Sequence, residues 1–134
     1  MKTKTIRQSV LIKADPHEVY ETLMDSKRHS VLTASAASIS RKTGGNFSVY
    51  GGSISGRNLE LEQDRKIVQE WFCETPGWPE SHYSKATFTL EKERGGTKIS
   101  LVQENVPEAA SKDIAAGWKR FYWEPMKALL EKKK

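Results

Sequence analysis

The sequence has few of the features that mark a disulfide scaffold, a metal site or a membrane span. Its 134 residues include one cysteine, Cys73, and only three histidines, His17, His29 and His82. A single cysteine cannot form an internal disulfide, and the histidines lack the short spacing typical of a zinc site. No apolar run approaches the roughly 20 residues that a membrane helix requires. We therefore expect no metal, no cofactor, no membrane partner and a reducing, cytoplasmic compartment.

Positive charge is in excess but is not gathered in one place. The formal net charge is +5, from 22 basic and 17 acidic residues, and three of the basic residues are the lysines at positions 132–134. Elsewhere Lys and Arg alternate with Glu, as over residues 91–94. Because a nucleic-acid binder is expected to concentrate basic residues on one face, we expect no nucleic-acid partner. The lysine tail is interpreted as a solvated helix end, which the negative pole of the helix dipole favours.

The first third of the chain predicts one strand followed by two short helices. Residues 5–13 alternate between apolar and polar side chains, which is typical of a half-buried strand. Asp15 is suited to cap a helix that begins at Pro16, and Glu18 to complete the capping box. Asp25 is expected to cap a second short helix in the same way.

From residue 37 to residue 105 the pattern changes to strands separated by turns. Glycine pairs at 44–45, 51–52 and 95–96, together with Gln63-Asp64, predict tight turns. The segment 75–79 contains two prolines and cannot continue a central strand, so it predicts a loop. The strands predicted between these breaks are residues 46–50, 53–61, 65–74, 82–94 and 97–105.

A long amphipathic helix is predicted from residue 108 to residue 131, with a bend at Pro125 because proline has no N–H to donate. Its broad apolar face comprises Ile114, Trp118, Phe121, Tyr122, Met126, Leu129 and Leu130. At about 1.5 Å per residue it is the only element long enough to cover the apolar face of the sheet. The predicted fold is α+β, with a curved antiparallel sheet of about seven strands wrapped around the long C-terminal helix and two short helices after the first strand. We expect one domain over residues 1–134.

Four stretches also resemble a known family. They are residues 44–48, residues 51–61, residues 66–71, and Gly117-Trp118 with Tyr122-Trp123 and Pro125. The chain is similar to the C-terminal domain of the activator of heat-shock chaperone ATPase homologue (AHSA) family, in the START-like, pollen-allergen-like (SRPBCC) superfamily.

That resemblance implies a helix-grip fold, in which a cavity often remains between sheet and helix. It also implies one possible protein partner, the 90-kDa heat-shock chaperone, whose ATPase the two-domain eukaryotic members stimulate. This sequence departs from those members in lacking the N-terminal domain that makes a principal contact with the chaperone, so we do not extend the resemblance to stimulation of the ATPase.

Alternation along the predicted strands places two amides, Gln69 and Gln103, in an otherwise apolar interior. They either pair with each other, with the backbone or with a buried water, or they orient a guest in an apolar cavity. The candidate ligand-binding residues are Gln69, Trp71, Phe88, Leu101, Gln103, Trp118, Phe121 and Tyr122.

Catalytic residues are not expected. Glu60 and His29 are the only candidate acid or base groups, and a Cys73–His82 pair would have to form across the Trp78 loop. The leading hypothesis is a non-catalytic, co-chaperone-like protein that binds an apolar small molecule, a protein partner or both. The alternatives are an intracellular carrier of a hydrophobic or aromatic ligand and a cyclase- or aromatase-like enzyme.

Two positions carry local expectations as well. Gly56, in the middle of a predicted strand, is expected to mark a bulge, a bend or close approach of another backbone, and a bend that curls the sheet around the helix is favoured. Trp123 lies off the apolar stripe of the final helix and is expected to pack against the Trp78 loop.

Overall fold

Seven strands form one antiparallel sheet over residues 1–131, which are the residues that the computed structural model describes. Their order across the sheet is β1-β7-β6-β5-β4-β3-β2, so β2 to β7 form a meander and β1 joins its far side. The predicted seven-stranded sheet is confirmed. The strands are β1 (Thr3–Ile12), β2 (Ser38–Ile39), β3 (Asn46–Val49), β4 (Ile54–Glu62), β5 (Lys66–Cys73), β6 (Ser84–Glu93) and β7 (Gly96–Pro107).

The turns between strands fall where the glycine pairs predict them. Asp64, between β4 and β5, and Gly95, between β6 and β7, both have the positive φ that tight turns of this kind require. Of the three interpretations of Gly56, the structure supports close approach of another backbone. A Cβ there would overlap the carbonyl oxygen of Glu70 on β5 and lie 2.9 Å from the ring of Phe47, so the glycine permits close approach of the neighbouring strand.

The helices also match the predicted order. They are α1 (Pro16–Met24), α2 (Ser26–Thr33), α3 (Glu108–Trp118) and α4 (Glu124–Leu130), with a π-helical turn (Lys119–Trp123) joining the last two into one continuous helix and a short 3-10 turn (Tyr50–Gly52) before β4.

The predicted caps hold for α2 only. Asp25 accepts a hydrogen bond from the Arg28 backbone N–H at 2.9 Å. Asp15 occupies the N-cap position of α1 but makes no side-chain cap bond; Lys92 binds its carboxylate at 3.0 Å instead. Glu18 pairs with the Arg28 guanidinium, so the predicted capping box is wrong.

The core lies between the sheet and the continuous final helix. The predicted apolar face of the final helix is buried at Ile114, Trp118, Tyr122 and Met126 and half-buried at Leu130, whereas Phe121 is 46% exposed and Leu129 38% exposed. No helix among residues 1–131 is long and apolar enough to cross a membrane. The predicted helix end at lysines 132–134 lies outside the described residues. The large aromatic side chains of the core are Tyr20, Phe47, Trp71, Trp78, Phe88, Trp118, Tyr122 and Trp123.

Candidate functional site

An open groove of about 400 Å³ lies between the final helix and one end of the sheet. The sheet side comes from the turn before β4 and from the end of β5, and the helix side comes from the second half of α3 and the π-helical turn. Most of the lining side chains are apolar or aromatic. The lining residues are Tyr50, Ser53, Ile54, Trp71, Cys73, Glu74, Thr75, Asp113, Ile114, Gly117, Trp118, Phe121 and Tyr122.

The π-helical turn beside the groove has an identifiable local cause. In an α-helix the carbonyl of Phe121 would accept from the N–H of residue 125, but Pro125 has none. The helix widens just before it, and Glu124 donates its N–H to the Lys119 carbonyl, five residues back. The hydroxyl of Tyr50 donates to the Phe121 carbonyl at 3.2 Å. The proline therefore yields a wider turn and a carbonyl that the sheet side can bind.

Tyr50, which is half-buried, and Phe121, which is exposed, together form the aromatic edge of the groove. Tyr50 has φ +52°, a left-handed conformation uncommon for residues other than glycine. Its ring meets the Phe121 ring edge to face, with centroids 5.9 Å apart. Positive φ at a non-glycine residue carries a conformational cost and is concentrated at functional sites. At Tyr50 this conformation places the aromatic ring at the edge of the groove.

Behind the groove, the interior is nearly filled. A cavity of only about 20 Å³ lies among residues of α1, α2, the sheet and the final helix, which is room for about one water molecule. Trp71, Trp118 and Tyr122 line this cavity and the groove alike. These three rings are therefore the wall between a closed interior and an open surface site.

Gln103 is tied into the wall by two hydrogen bonds. Its carbonyl accepts from the Trp118 indole N–H at 2.8 Å, and its amide donates to the Ser84 hydroxyl at 3.0 Å. That hydroxyl in turn donates to the Trp71 carbonyl at 3.0 Å. The predicted interior position of Gln103 is confirmed, and its partners are side chains of the wall and of β6.

Gln69, the second predicted amide, donates to the Asn58 side-chain carbonyl at 3.1 Å. Asn58 is itself fully buried, and it donates to the backbone carbonyl of Ser40 at 2.8 Å. In residues 1–131 every buried side-chain nitrogen or oxygen has a hydrogen-bond partner. Both amides are therefore hydrogen-bonded within the protein, as buried polar groups usually are.

His29 and Tyr122 form a second buried polar pair. One ring nitrogen of His29 contacts the Leu23 carbonyl at 3.0 Å, so it must be the protonated one. The other lies 2.8 Å from the Tyr122 hydroxyl and accepts a hydrogen bond from it. Burial lowers the pKa of His29 below its ordinary value and raises that of Tyr122, because both charged forms would lose hydration. The pair stays neutral.

The other candidate acid, base and nucleophile groups are separated or inert. Glu60 is exposed and pairs with Lys66 at 3.3 Å, since a register shift between Asn58 and Glu60 turns it outward. Burial raises the pKa of the Cys73 thiol to about 11. His82 contacts the Asn105 carbonyl at 2.8 Å and makes no hydrogen bond to Cys73. Among residues 1–131 no three His, Cys, Asp or Glu side chains cluster in a way that suits a metal ion.

The expectation for Trp123 is wrong. Its ring stacks on Trp118 with centroids 5.7 Å apart, and its indole N–H donates to Gln8 on β1 at 2.7 Å. The extra residue in the π-helical turn rotates it toward β1. Trp78 instead packs edge to face on Trp71 at 5.7 Å, so the Trp78 loop covers the sheet side of the wall.

The predicted ligand-binding residues divide among three places. Trp71, Trp118, Phe121 and Tyr122 line the groove, and Gln69 and Phe88 line the small internal cavity. Leu101 and Gln103 are buried and line neither. Sequence reasoning missed the rest of the groove, whose one visible signal was Gly117 inside an otherwise regular helix. The missed groove residues include Tyr50, Ile54, Glu74, Asp113 and Gly117.

Comparison with known proteins identifies the family to which the chain belongs. The model of the family described as Activator of Hsp90 ATPase homolog 1-like protein matches residues 13–131. The Homo sapiens Activator of 90 kDa heat shock protein ATPase homolog 1 is 26% identical over 92% of this chain and 35% of its own length. The Dictyostelium discoideum homolog is 30% identical over 88% of this chain and 30% of its own length. The chain thus spans about a third of the length of these curated relatives.

Solved structures agree on the fold. A crystal structure of an HSP90 activator from Plasmodium falciparum superposes with a TM-score of 0.87, at 24% identity over 95% of this chain and 96% of that chain. The Aha1 dimer from Colwellia psychrerythraea gives a TM-score of 0.79 at 18% identity, over 98% of this chain and 99% of that chain. The helix-grip arrangement predicted from the sequence is shared with both.

Proposed function

The chain belongs to the family of Activator of Hsp90 ATPase homolog 1-like proteins, and we propose that it is a non-catalytic, co-chaperone-like binding domain. Its proposed partner is a 90-kDa heat-shock chaperone, the protein that the curated relatives are named for activating. The proposed contact surface is the apolar groove at the aromatic edge formed by Tyr50 and Phe121.

The contrast between the two cavities carries this proposal. The interior has room for about one water, whereas the groove offers about 400 Å³ open to solvent. A molecule larger than water must therefore bind at the surface. Phe121 remains 46% exposed there, and exposed aromatic side chains are enriched where proteins bind one another.

The polar groups near the groove support binding without catalysis. A general acid or base needs a proton it can exchange near the working pH and access to the substrate. Both nitrogens of His29 are already engaged, by Leu23 and Tyr122. The pKa of the Cys73 thiol, raised to about 11, leaves little thiolate at neutral pH.

A small apolar molecule is the second candidate occupant. The groove volume of about 400 Å³ falls within the roughly 300–1,000 Å³ of known ligand pockets. A carrier that encloses its ligand completely is not supported, because the internal cavity is too small. This alternative predicts saturable binding of a small apolar ligand in the absence of any chaperone.

The test pairs two variants on neighbouring helix positions. Gly117 lies in the groove, and a side chain there would first meet the Phe121 ring at an ordinary 3.6 Å, so Gly117→Leu fills the groove without removing a native contact. Ala116→Leu adds the same side chain at an exposed position that does not line the groove. Circular dichroism and thermal unfolding confirm that both variants fold.

The readouts are binding to a purified 90-kDa heat-shock chaperone, by calorimetry, and the ATPase rate of that chaperone. We expect the unmodified chain to bind and change the rate, Gly117→Leu to weaken binding at least tenfold, and Ala116→Leu to match the unmodified chain. No binding by the unmodified chain would overturn the co-chaperone proposal. Equal binding by both variants would overturn the groove as its contact surface.

A further inference from the structure

The groove differs from the rest of the surface in its charge. Among the described residues that line the groove, the charged ones are two acids, Glu74 and Asp113, whereas basic and acidic residues are mixed elsewhere in the sequence. Glu74 follows β5 and Asp113 lies on α3, so the sheet side and the helix side each contribute one carboxylate. A groove whose charged side chains are all acidic favours positively charged ligands.

Neither carboxylate is neutralised within the described part of the chain. Seven ion pairs and the His17–Asp64 contact join acidic to basic side chains across residues 1–131, and none of them involves Glu74 or Asp113. Both residues are exposed and make no side-chain hydrogen bond to another described residue. Their charges are therefore available to a partner placed in the groove.

Between these charges the lining is aromatic. Trp71 and Trp118 form the inner wall, and Phe121 stands exposed about two helical turns beyond Asp113 along the final helix. An occupant that satisfies both features has an apolar side chain against the rings and a positive charge beside it at the carboxylates. An apolar group alone leaves the acids unpaired, and a cation alone leaves the aromatic wall in water.

We propose that the groove binds a basic-apolar peptide segment of the partner protein, in which an aromatic or aliphatic side chain inserts between sheet and helix and an adjacent Lys or Arg pairs with Glu74 and Asp113. The inference rests on the proposed function and specifies the chemistry of the partner. A segment is favoured over a compact ligand because the groove is open to solvent and borders the exposed Phe121. Recognition of an apolar anchor with an adjacent charge gives orientation as well as affinity.

The first experiment uses three fluorescein-labelled peptides that share a Phe-Leu anchor and differ in the two residues that follow it, which are Lys-Lys, Gln-Gln or Glu-Glu. Binding to the full chain is measured by fluorescence anisotropy at 50 and 300 mM NaCl. We expect the lysine peptide to bind roughly fivefold or more tighter than the glutamine peptide at low salt, with the advantage shrinking at high salt because exposed charge pairs are screened. The glutamate peptide is expected to bind weakest.

The second experiment removes the charges without changing side-chain shape. Glu74→Gln with Asp113→Asn is expected to abolish the preference for lysine while leaving the glutamine peptide unaffected. Glu91→Gln with Glu93→Gln is the matched control, because it removes two exposed carboxylates from the β6 end of the sheet, outside the groove. Glu74→Lys with Asp113→Lys is expected to reverse the preference toward the glutamate peptide.

The outcomes separate this inference from the proposed function. Equal binding of the three peptides, no peptide binding up to 1 mM, or the same result for the groove and control variants would overturn the charge-guided segment. Tighter binding of phenethylammonium than of the lysine peptide would also overturn it and assign the groove to small cations. Chaperone binding that survives Gly117→Leu would instead contradict the proposed contact surface.

Discussion

The interior beneath the aromatic wall and the groove outside it share three side chains and differ in how their polar groups are used. Inside, the amides of Gln69 and Gln103 are paired within the protein, and about one water's worth of space remains. Outside, the carboxylates of Glu74 and Asp113 have no ion-pair partner among residues 1–131. The same wall therefore has a face completed by folding and a face left for a partner.

This difference separates structural residues from binding residues. A buried polar group that already has its hydrogen bonds can be released only at a cost in stability, so changes inside should lower the free energy of unfolding. An exposed aromatic ring or carboxylate contributes little to stability, so changes outside should act on binding. The four predictions below test that division, from the largest expected effect to the smallest.

Trp118 belongs to both regions, and its removal should be the most destabilising change. Trp118→Ala removes a buried ring that packs on Trp71, Phe88 and Trp123, and we expect a loss of about 3–5 kcal/mol. Phe121→Ala, on the outer face, should cost about 1 kcal/mol or less because Phe121 is half exposed. Urea unfolding of both variants measures the two values. Equal losses would contradict a closed inner face and an open outer one.

Gln103→Leu tests the inner hydrogen bonds. The substitution keeps the size of the side chain but leaves the Trp118 indole N–H buried without its acceptor, which should cost about 1–3 kcal/mol. Gln63→Leu, at an exposed turn position, should change the free energy of unfolding by less than about 0.5 kcal/mol. Chemical denaturation measures both variants. An unchanged free energy of unfolding for Gln103→Leu would show that the buried amide does not stabilise the fold.

The pair formed by His29 and Tyr122 makes the interior sensitive to acid. Because the pKa of His29 is lowered in the folded protein, the unfolded chain takes up a proton that the folded chain refuses as the pH falls below about 6.5. The stability contributed by neutral His29 is therefore complete above that pH. It is lost as the pH falls toward the folded pKa, at up to about 1.4 kcal/mol per pH unit.

The measurement is the free energy of unfolding between pH 7.5 and 5, for the unmodified chain and for His29→Gln. Glutamine keeps an acceptor for the Tyr122 hydroxyl and does not titrate. We expect the variant to lack the contribution of His29 to the slope below pH 6.5. Identical slopes would assign the acid sensitivity to other groups.

Gly117→Ala should give the smallest change and the opposite sign. Alanine has the higher helix propensity, and the added methyl meets only the Phe121 ring at 3.6 Å, so we expect a gain of about 0.5–1 kcal/mol. The same methyl narrows the groove, so we expect Gly117→Ala to bind the peptides more weakly. Thermal unfolding checks the gain. A destabilised variant would show that the helix is strained at this position.

Much of the architecture could be predicted because it follows from local chemistry. Period-two alternation, glycine turns and the long apolar stripe placed every strand except the two-residue β2 and placed the final helix close to its observed limits. Capping was less predictable, since the carboxylates of Asp15 and Glu18 are drawn to Lys92 and Arg28, residues distant in the sequence. Charged side chains pair with partners on other elements, and folding brings those partners close.

The sequence by itself determined most of the elements, their order and most of the residues that face the core, because side-chain periodicity and backbone preferences act over a few residues. Tertiary structure decided where the space is. The register shift at Asn58 buried an amide and exposed Glu60, the turn before Pro125 moved Trp123 inward and Phe121 outward, and packing filled the interior almost completely. Such outcomes depend on contacts between residues far apart in the chain, whose summed volumes and hydrogen bonds leave a groove on one side of the wall and almost no space on the other.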